Sequence, residues 1–142
     1  MSAIGALAYR ADGSRSKLFL RLKRGPVLAE DFVRYLQHLS RHLAGRVLVI
    51  WDRLNGHRSV LVREWSQRHG RFEIHFLPAY APELNPVEGL WAWLKGTCLA
   101  NCPSDDLGPL SVEVRRGARR ASKRPALLTG LGHKAGLHFG AV

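Results

Sequence analysis

The stretch VLVIWDRLNGHRSVLVREWSQRHGRFEIHFL, residues 47–77, carries the reading of the fold. Val47, Leu48, Val49, Ile50 and Trp51 are apolar without a break, the pattern of a strand covered on both faces in an α/β layer. Asp52 follows directly at its C-terminal end. The spacing then predicts a helix from Ser59 to Arg68 that closes at Gly70. A second strand is predicted from Phe72 to Leu77, where Phe72, Ile74 and Phe76 alternate with Glu73 and His75. Strands alternating with helices imply a sheet whose later strands are parallel and helix-covered.

Working outward, Ile4 to Tyr9 and Lys17 to Lys23 read as two strands joined at Asp12-Gly13, a hairpin. The second sets Leu18, Leu20 and Leu22 on one face against Lys17, Arg21 and Lys23 on the other. Gly25-Pro26 ends the hairpin, and Phe32, Leu36, Leu39 and Leu43 recur as the stripe of an amphipathic helix that Gly45 stops. On the other side, the proline-rich loop from Pro78 to Pro86 leads into a helix with Val87, Leu90, Trp91, Leu94 and Cys98 on one face. Beyond Pro103 comes a basic segment, Arg115, Arg116, Arg119, Arg120, Lys123 and Arg124 against Glu113 alone, read as a helix to about Lys123, a loop at Pro125 and a short tail. The predicted class is α/β, a mixed sheet with flanking helices in one domain spanning 1–142, with 104–142 as its basic C-terminal helix and tail.

A chain of 142 residues suits one ordinary domain, and 46% hydrophobic with 23% charged residues excludes a disordered tail or a fibrous repeat. The 22 Lys and Arg against 11 Asp and Glu leave a formal charge of +11, which points to a polyanionic partner, nucleic acid before membrane. No apolar run approaches the ~18 residues of a membrane span, and the start lacks the basic flank of a signal peptide, so a cytoplasmic protein is expected. Cys98 and Cys102 are then expected to be reduced, core or surface thiols, since no second pair of ligands stands at zinc-site spacing.

Two carboxylates stand out by position. Asp52 sits where open α/β sheets place their ligands, and Glu88 sits in the first turn of the helix after Pro86. Carboxylates on such rigid elements can share Mg²⁺ or Mn²⁺, and a two-ion site of this kind cleaves or joins phosphodiesters in line. Structural roles compete: Asn85-Pro86-Val87-Glu88 fits a capping box, and Asp52 fits a turn closing onto Asn55 and Gly56. His57 can orient a carboxylate, contact a phosphate, or simply be exposed, which is the ordinary state of a loop histidine. Trp91 belongs to the apolar stripe and is expected to pack rather than stack on bases.

The segment LPAYAPELNPVEGLWAWLK, residues 77–95, resembles the signature of mariner-like bacterial insertion-sequence DDE transposases, in which an aromatic-proline loop runs into Asn-Pro-Ile/Val-Glu and a helical Trp and Lys. Upstream, Val47 to Trp51 followed by Asp52 and His57 resembles the family's second acidic strand, and 35 residues, 53–87, separate Asp52 from Glu88, as in that family. Where many relatives carry Asn after the Asp, this chain has Arg53. The resemblance implies an RNase H-like fold and DNA cleavage and strand transfer, with Asp52 and Glu88 as the second and third catalytic carboxylates holding Mg²⁺ or Mn²⁺. It also implies DNA partners, transposon ends and target, contacted by His57, Lys95, Arg115, Arg116, Arg119, Arg120, Lys123 and Arg124. The family's first strand and its Asp have no counterpart here: Asp12 lies in the hairpin turn, and Glu30 and Asp31 start a helix. The expectation is therefore the C-terminal part of a catalytic domain, from a split or decayed gene. It would be inactive alone and completed by an upstream-encoded segment, with a second copy or pairing of the Ile4 and Val47 strands as other ways to cover the strand edges. A non-catalytic nucleic-acid-binding or assembly module is the competing function.

Overall fold

A computed structural model describes residues 1–54, 56–102 and 106–140. Packing divides the chain into two compact units, residues 23–82 and residues 3–22 with 83 onward.

In the 23–82 unit, β3 (Val47–Trp51) and β4 (Phe72–Phe76) pair in parallel, Val47 opposite Phe72 and Trp51 opposite Phe76. The connection is α2 (Val60–Arg68), which begins where the Ser59 hydroxyl accepts the Val62 N–H at 3.3 Å. Beside it lies α1 (Ala29–His42), whose buried side is Phe32, Tyr35, Leu36 and Leu39. The predicted stripe thus gains Tyr35, while Leu43 becomes the C-cap residue. Asp31 supports the α1 start by accepting the Leu28 N–H at 2.8 Å, and it also pairs with Lys23. The Arg71 guanidinium gathers carbonyls left over at the end of α1, donating to Ser40, Leu43 and Gly45.

One expectation is corrected here. β3 is not covered on both faces: Leu48 and Ile50 are 57% and 47% exposed. The register explains this. Val47, Val49 and Trp51 share a face with Phe72, Ile74 and Phe76, and on that face Phe32 of α1 lies 6.1 Å from Trp51 while Trp65 of α2 lies 5.0 Å from Phe72. Leu48 and Ile50 point the other way with Glu73 and His75, and all four are exposed. An unbroken apolar run does not reveal how many layers are available to cover it.

In the other unit, β1 (Ser2–Tyr9) and β2 (Ser16–Lys23) form a second two-stranded sheet. A six-residue connection between paired strands makes this an antiparallel hairpin, since a parallel return needs a long crossover. Gly13 takes φ 75° in the turn, and Asp12 Oδ1 accepts the Ser14 N–H at 2.9 Å. Leu7 and Leu18 of the hairpin pack on a core of Leu90, Leu94, Ala121 and Leu128. That core is built by α3 (Pro86–Thr97), α4 (Leu107–Ser122) and α5 (Pro125–Lys134). Helix α5 replaces the predicted loop and tail. Pro125 starts a helix rather than breaking one, because at the first helical position its missing N–H has no partner to lose, and Leu127, Leu128 and Leu131 then reach the core. The rest of the described tail also packs, with the Phe139 ring tilted against Tyr9 at 4.7 Å. Cys98 and Cys102 form no disulfide, and Cys98 lies against Gly117 of α4, as the core reading of that cysteine expects. Among the described residues, no helix is long and apolar enough to cross a membrane.

Candidate active site

Asp52 is the first residue past β3, and the two backbones stay joined there, Leu77 N–H donating to Trp51 O at 2.8 Å. Arg53 adds a clamp from Nε to Leu77 O at 3.1 Å. Asp52 Oδ1 accepts the Leu54 N–H at 3.1 Å, so the turn role is real, although it closes on Leu54 and not on Gly56. The suggested closure onto Asn55 lies outside the described residues.

A second donor reaches the same oxygen. His57 Nδ1 stands 2.8 Å from Asp52 Oδ1 and 3.1 Å from Asp52 O, and the His57 side chain is 11% exposed against 41% for Asp52. His57 is therefore not the exposed loop histidine that is the ordinary case. Its ring stacks on Trp51 at 4.1 Å and 2°, and it meets the edge of Phe32 at 4.3 Å. Gly56 lets the loop come this close, because a Cβ there would collide with the Phe32 ring. Burial pushes the His57 pKa down, against the hydrogen bonds and charge of Asp52, which favour the proton. Both partners of Nδ1 are acceptors, so the neutral ring carries its proton on Nδ1.

Glu88 lies in the first turn of α3, exposed. The cap there is Asn85, whose Oδ1 accepts the Val87 N–H at 3.1 Å, and the reciprocal arm of a capping box from Glu88 is not formed. Lys95 follows Glu88 by seven residues, about 10.5 Å along the helix, on the same exposed face. On α4 and just beyond it, Arg115, Arg116, Arg119, Arg120, Lys123 and Arg124 are all exposed, while Val114, Gly117, Ala118 and Ala121 form the buried side. Arg116 pairs with Glu113 at 2.7 Å. The structure thus brings Asp52 and His57 together in the 23–82 unit, and it sets Glu88, Lys95 and the basic helix in the other.

Two residues around Asp52 escaped sequence reading in this role, Phe32 and Trp51, the walls of the His57 ring. Each was legible only as an apolar position of its helix or strand. A third feature is Tyr80, fully exposed with φ 58° in the proline-rich loop, a conformation a tyrosine seldom adopts.

The donor chemistry fits a hard divalent cation. Asp52 and Glu88 offer carboxylate oxygen, Oδ2 of Asp52 is bonded by neither Leu54 nor His57, and oxygen ligands suit Mg²⁺ and Mn²⁺. Of the acidic residues before Asp52, Asp12 is committed to the hairpin turn and Asp31 to Lys23 and the α1 start.

Known proteins give these residues a context. Residues 1–111 match the family described as DDE superfamily endonuclease, a span that contains Asp52, His57, Glu88 and Lys95 and stops before Arg115. Among solved structures, the chain is similar to the catalytic domain of the Mos1 mariner transposase, with TM-score 0.58, 16% identity, and coverage of 96% of this chain and 82% of that one. The same catalytic domain solved with Raltegravir and Mn gives 0.59, 16%, 96% and 84%. The Mos1 mariner paired end complex with Mn gives 0.56, 20%, 95% and 44%. A comparison with curated protein sequences finds no match. The fold is thus the RNase H-like α/β fold of a transposase catalytic domain, and the chain belongs to the DDE superfamily endonuclease family.

Proposed function

We propose that the chain supplies two of the carboxylates of a DDE transposase of the insertion-sequence type, which cleaves DNA at the transposon ends and joins it to a target. The observation that carries this reading is the carboxylate of Asp52, built onto the C-terminal end of a parallel strand with Oδ2 taken by neither Leu54 nor His57, within the span that matches the endonuclease family. Asp52 and Glu88 would hold Mg²⁺ or Mn²⁺. When bound, such an ion makes a water or a 3′-hydroxyl nucleophilic and offsets charge on the leaving oxygen of the phosphodiester. The chain's own part is to present the two carboxylates, and to bind the DNA backbone through Lys95 and the basic face of α4.

Among the described residues, no three His, Cys, Asp or Glu side chains are placed to hold an ion together. In this proposal the remaining carboxylate comes from an upstream-encoded segment, with a second copy of the chain as the other supplier. Action on DNA also fits a cytoplasmic protein. The test is Mn²⁺-dependent cleavage of DNA bearing the element's ends, measured with the chain plus the upstream segment. Activity that disappears in both Asp52→Asn and Glu88→Gln supports the proposal, and full activity in either removes that residue from the site. The exposed basic face of α4 favours one second reading, a module that binds nucleic acid without chemistry. That reading gains if DNA binding survives in the double mutant and no combination cleaves.

A further inference from the structure

Oδ1 of Asp52 receives two donors, the Leu54 N–H at 3.1 Å and His57 Nδ1 at 2.8 Å. The second donor cannot drift. Its ring lies flat on Trp51, the residue before Asp52, its edge is closed by Phe32 of α1, and Nδ1 is also tied to the Asp52 carbonyl at 3.1 Å. Backbone on one side and a walled ring on the other leave the carboxylate little freedom about its Cβ–Cγ bond. A carboxylate held this way presents one defined oxygen, whereas a free one samples many orientations and can also bind both oxygens to one ion. Asp31 also takes two donors on one oxygen, the Leu28 N–H and the Lys23 ammonium, but the second is a flexible lysine at a helix start, whereas the donor on Asp52 is a ring walled by two aromatic side chains.

We infer that His57 is a positioning residue: by holding Oδ1 of Asp52 it makes Oδ2 the single oxygen that Asp52 offers to a divalent cation. The inference rests on the metal role proposed for Asp52. It assigns His57 to the carboxylate and withdraws its Nδ1 from any phosphate contact.

The experiment titrates Mn²⁺ into the whole chain together with the upstream-encoded segment that completes the site and reads free Mn²⁺ by electron paramagnetic resonance, alongside thermal melting. His57→Phe keeps a flat ring between Trp51 and Phe32 but has no donor. His57→Asn places an amide N–H close to the Nδ1 position, and His57→Gln reaches past it. The expected result is Mn²⁺ binding about tenfold weaker in a His57→Phe variant that still melts cooperatively, as for the loss of an outer partner of a metal ligand, with recovery to within about threefold in His57→Asn. A folded His57→Phe that binds Mn²⁺ like the parent overturns the inference. If His57→Phe does not fold, the Asn and Gln variants decide: equal affinities overturn it and an Asn advantage supports it. Asp52→Asn and Glu88→Gln are the controls. Parental binding in both, or a parent that binds no Mn²⁺, defeats the metal role itself, which is a different failure from that of His57.

Discussion

Asp52 and Glu88 carry the same functional group in opposite settings. Asp52 is half-buried, its Oδ1 holds two donors, and two aromatic rings, one stacked and one edge-on, wall in the second of them. Glu88 projects from the first turn of a helix into solvent, and the capping work is done by Asn85. A carboxylate woven into the fold cannot be altered without touching stability, whereas one mounted on a well-capped helix can be. The two settings also suit different ligand behaviour: Asp52 is fixed before a cation arrives, and Glu88 can swing to meet one.

The largest expected effect tests whether both settings serve one chemistry. With the upstream segment present, Asp52→Asn and Glu88→Gln should each lower Mn²⁺-dependent cleavage by more than about a hundredfold, because an amide is a poor ligand for a hard cation. The melting temperatures should separate them, with Glu88→Gln unchanged and Asp52→Asn lower, since the amide weakens the hydrogen bond from His57. Equal melting in both would erase the contrast.

Next in size is DNA binding, which should belong to the Glu88 unit alone. Replacing Arg115 and Arg119 together by Ala removes two exposed charges from the face of α4 opposite its buried side. If each contacts a phosphate, the slope of log K against log salt should become shallower by about 1.8, and affinity near 0.1 M salt should fall by tens of fold relative to the parent. Folding should be unaffected. A binding curve that keeps its salt slope would move the DNA surface elsewhere.

How far these settings were legible in the sequence follows from the range of the interactions. The Asp12-Gly13 turn, the Ser59 and Asn85 caps and the apolar stripes are local patterns, and they predicted the hairpin, the parallel pair and three of the helices with ends within a few residues, while the basic run from Arg115 predicted a fourth, α4, which ends at Ser122 against the expected Lys123. Helix α5 was hidden because Pro125 has two local meanings, breaker or first helical residue, and only the core contacts of Leu128 decide between them. The exposure of Leu48 and Ile50 depends on which layers exist, a fact no run of five residues contains. His57 was legible as a neighbour of Asp52 by spacing, but its burial comes from Phe32, 25 positions upstream. The place where local reading failed, a histidine expected in solvent and found walled in, is the place where the site is built.

The third prediction targets that wall. Gly56→Ala puts a methyl group into the Phe32 ring, so the loop must retreat or the ring must turn, at a cost of about 1 to 3 kcal/mol. Hydrogen exchange should quicken in β3 and α1 of the 23–82 unit, while α3 to α5 stay protected. Uniform quickening throughout would mean that the units unfold as one.

The smallest effect separates the units by pH. Tyr9 in β1 donates its hydroxyl to Leu128 O at 2.6 Å, and burial pushes its pKa up to about 12 from 10. Tyr35 in α1 is also pushed up by burial, so each unit holds one phenol that resists ionisation. The unfolded chain loses these protons near pH 10 while the fold retains them. The stability each phenol contributes is therefore complete below pH 10, and it is lost as pH rises from there through the folded pKa. Tyr9 is only partly buried, so solvent screening keeps its share modest. Tyr9→Phe loses the hydrogen bond to Leu128 and melts slightly lower at neutral pH, yet its α3 to α5 amides should show a flatter loss of protection between pH 9 and 11. Those of β3 and β4 should follow the parent, because Tyr35 is intact. Tyr35→Phe should give the reverse pattern. If either substitution flattens both sets of amides equally, alkaline unfolding is a single event, and the contrast between a carboxylate woven into one unit and a carboxylate mounted on the other would have to be drawn within one cooperative fold.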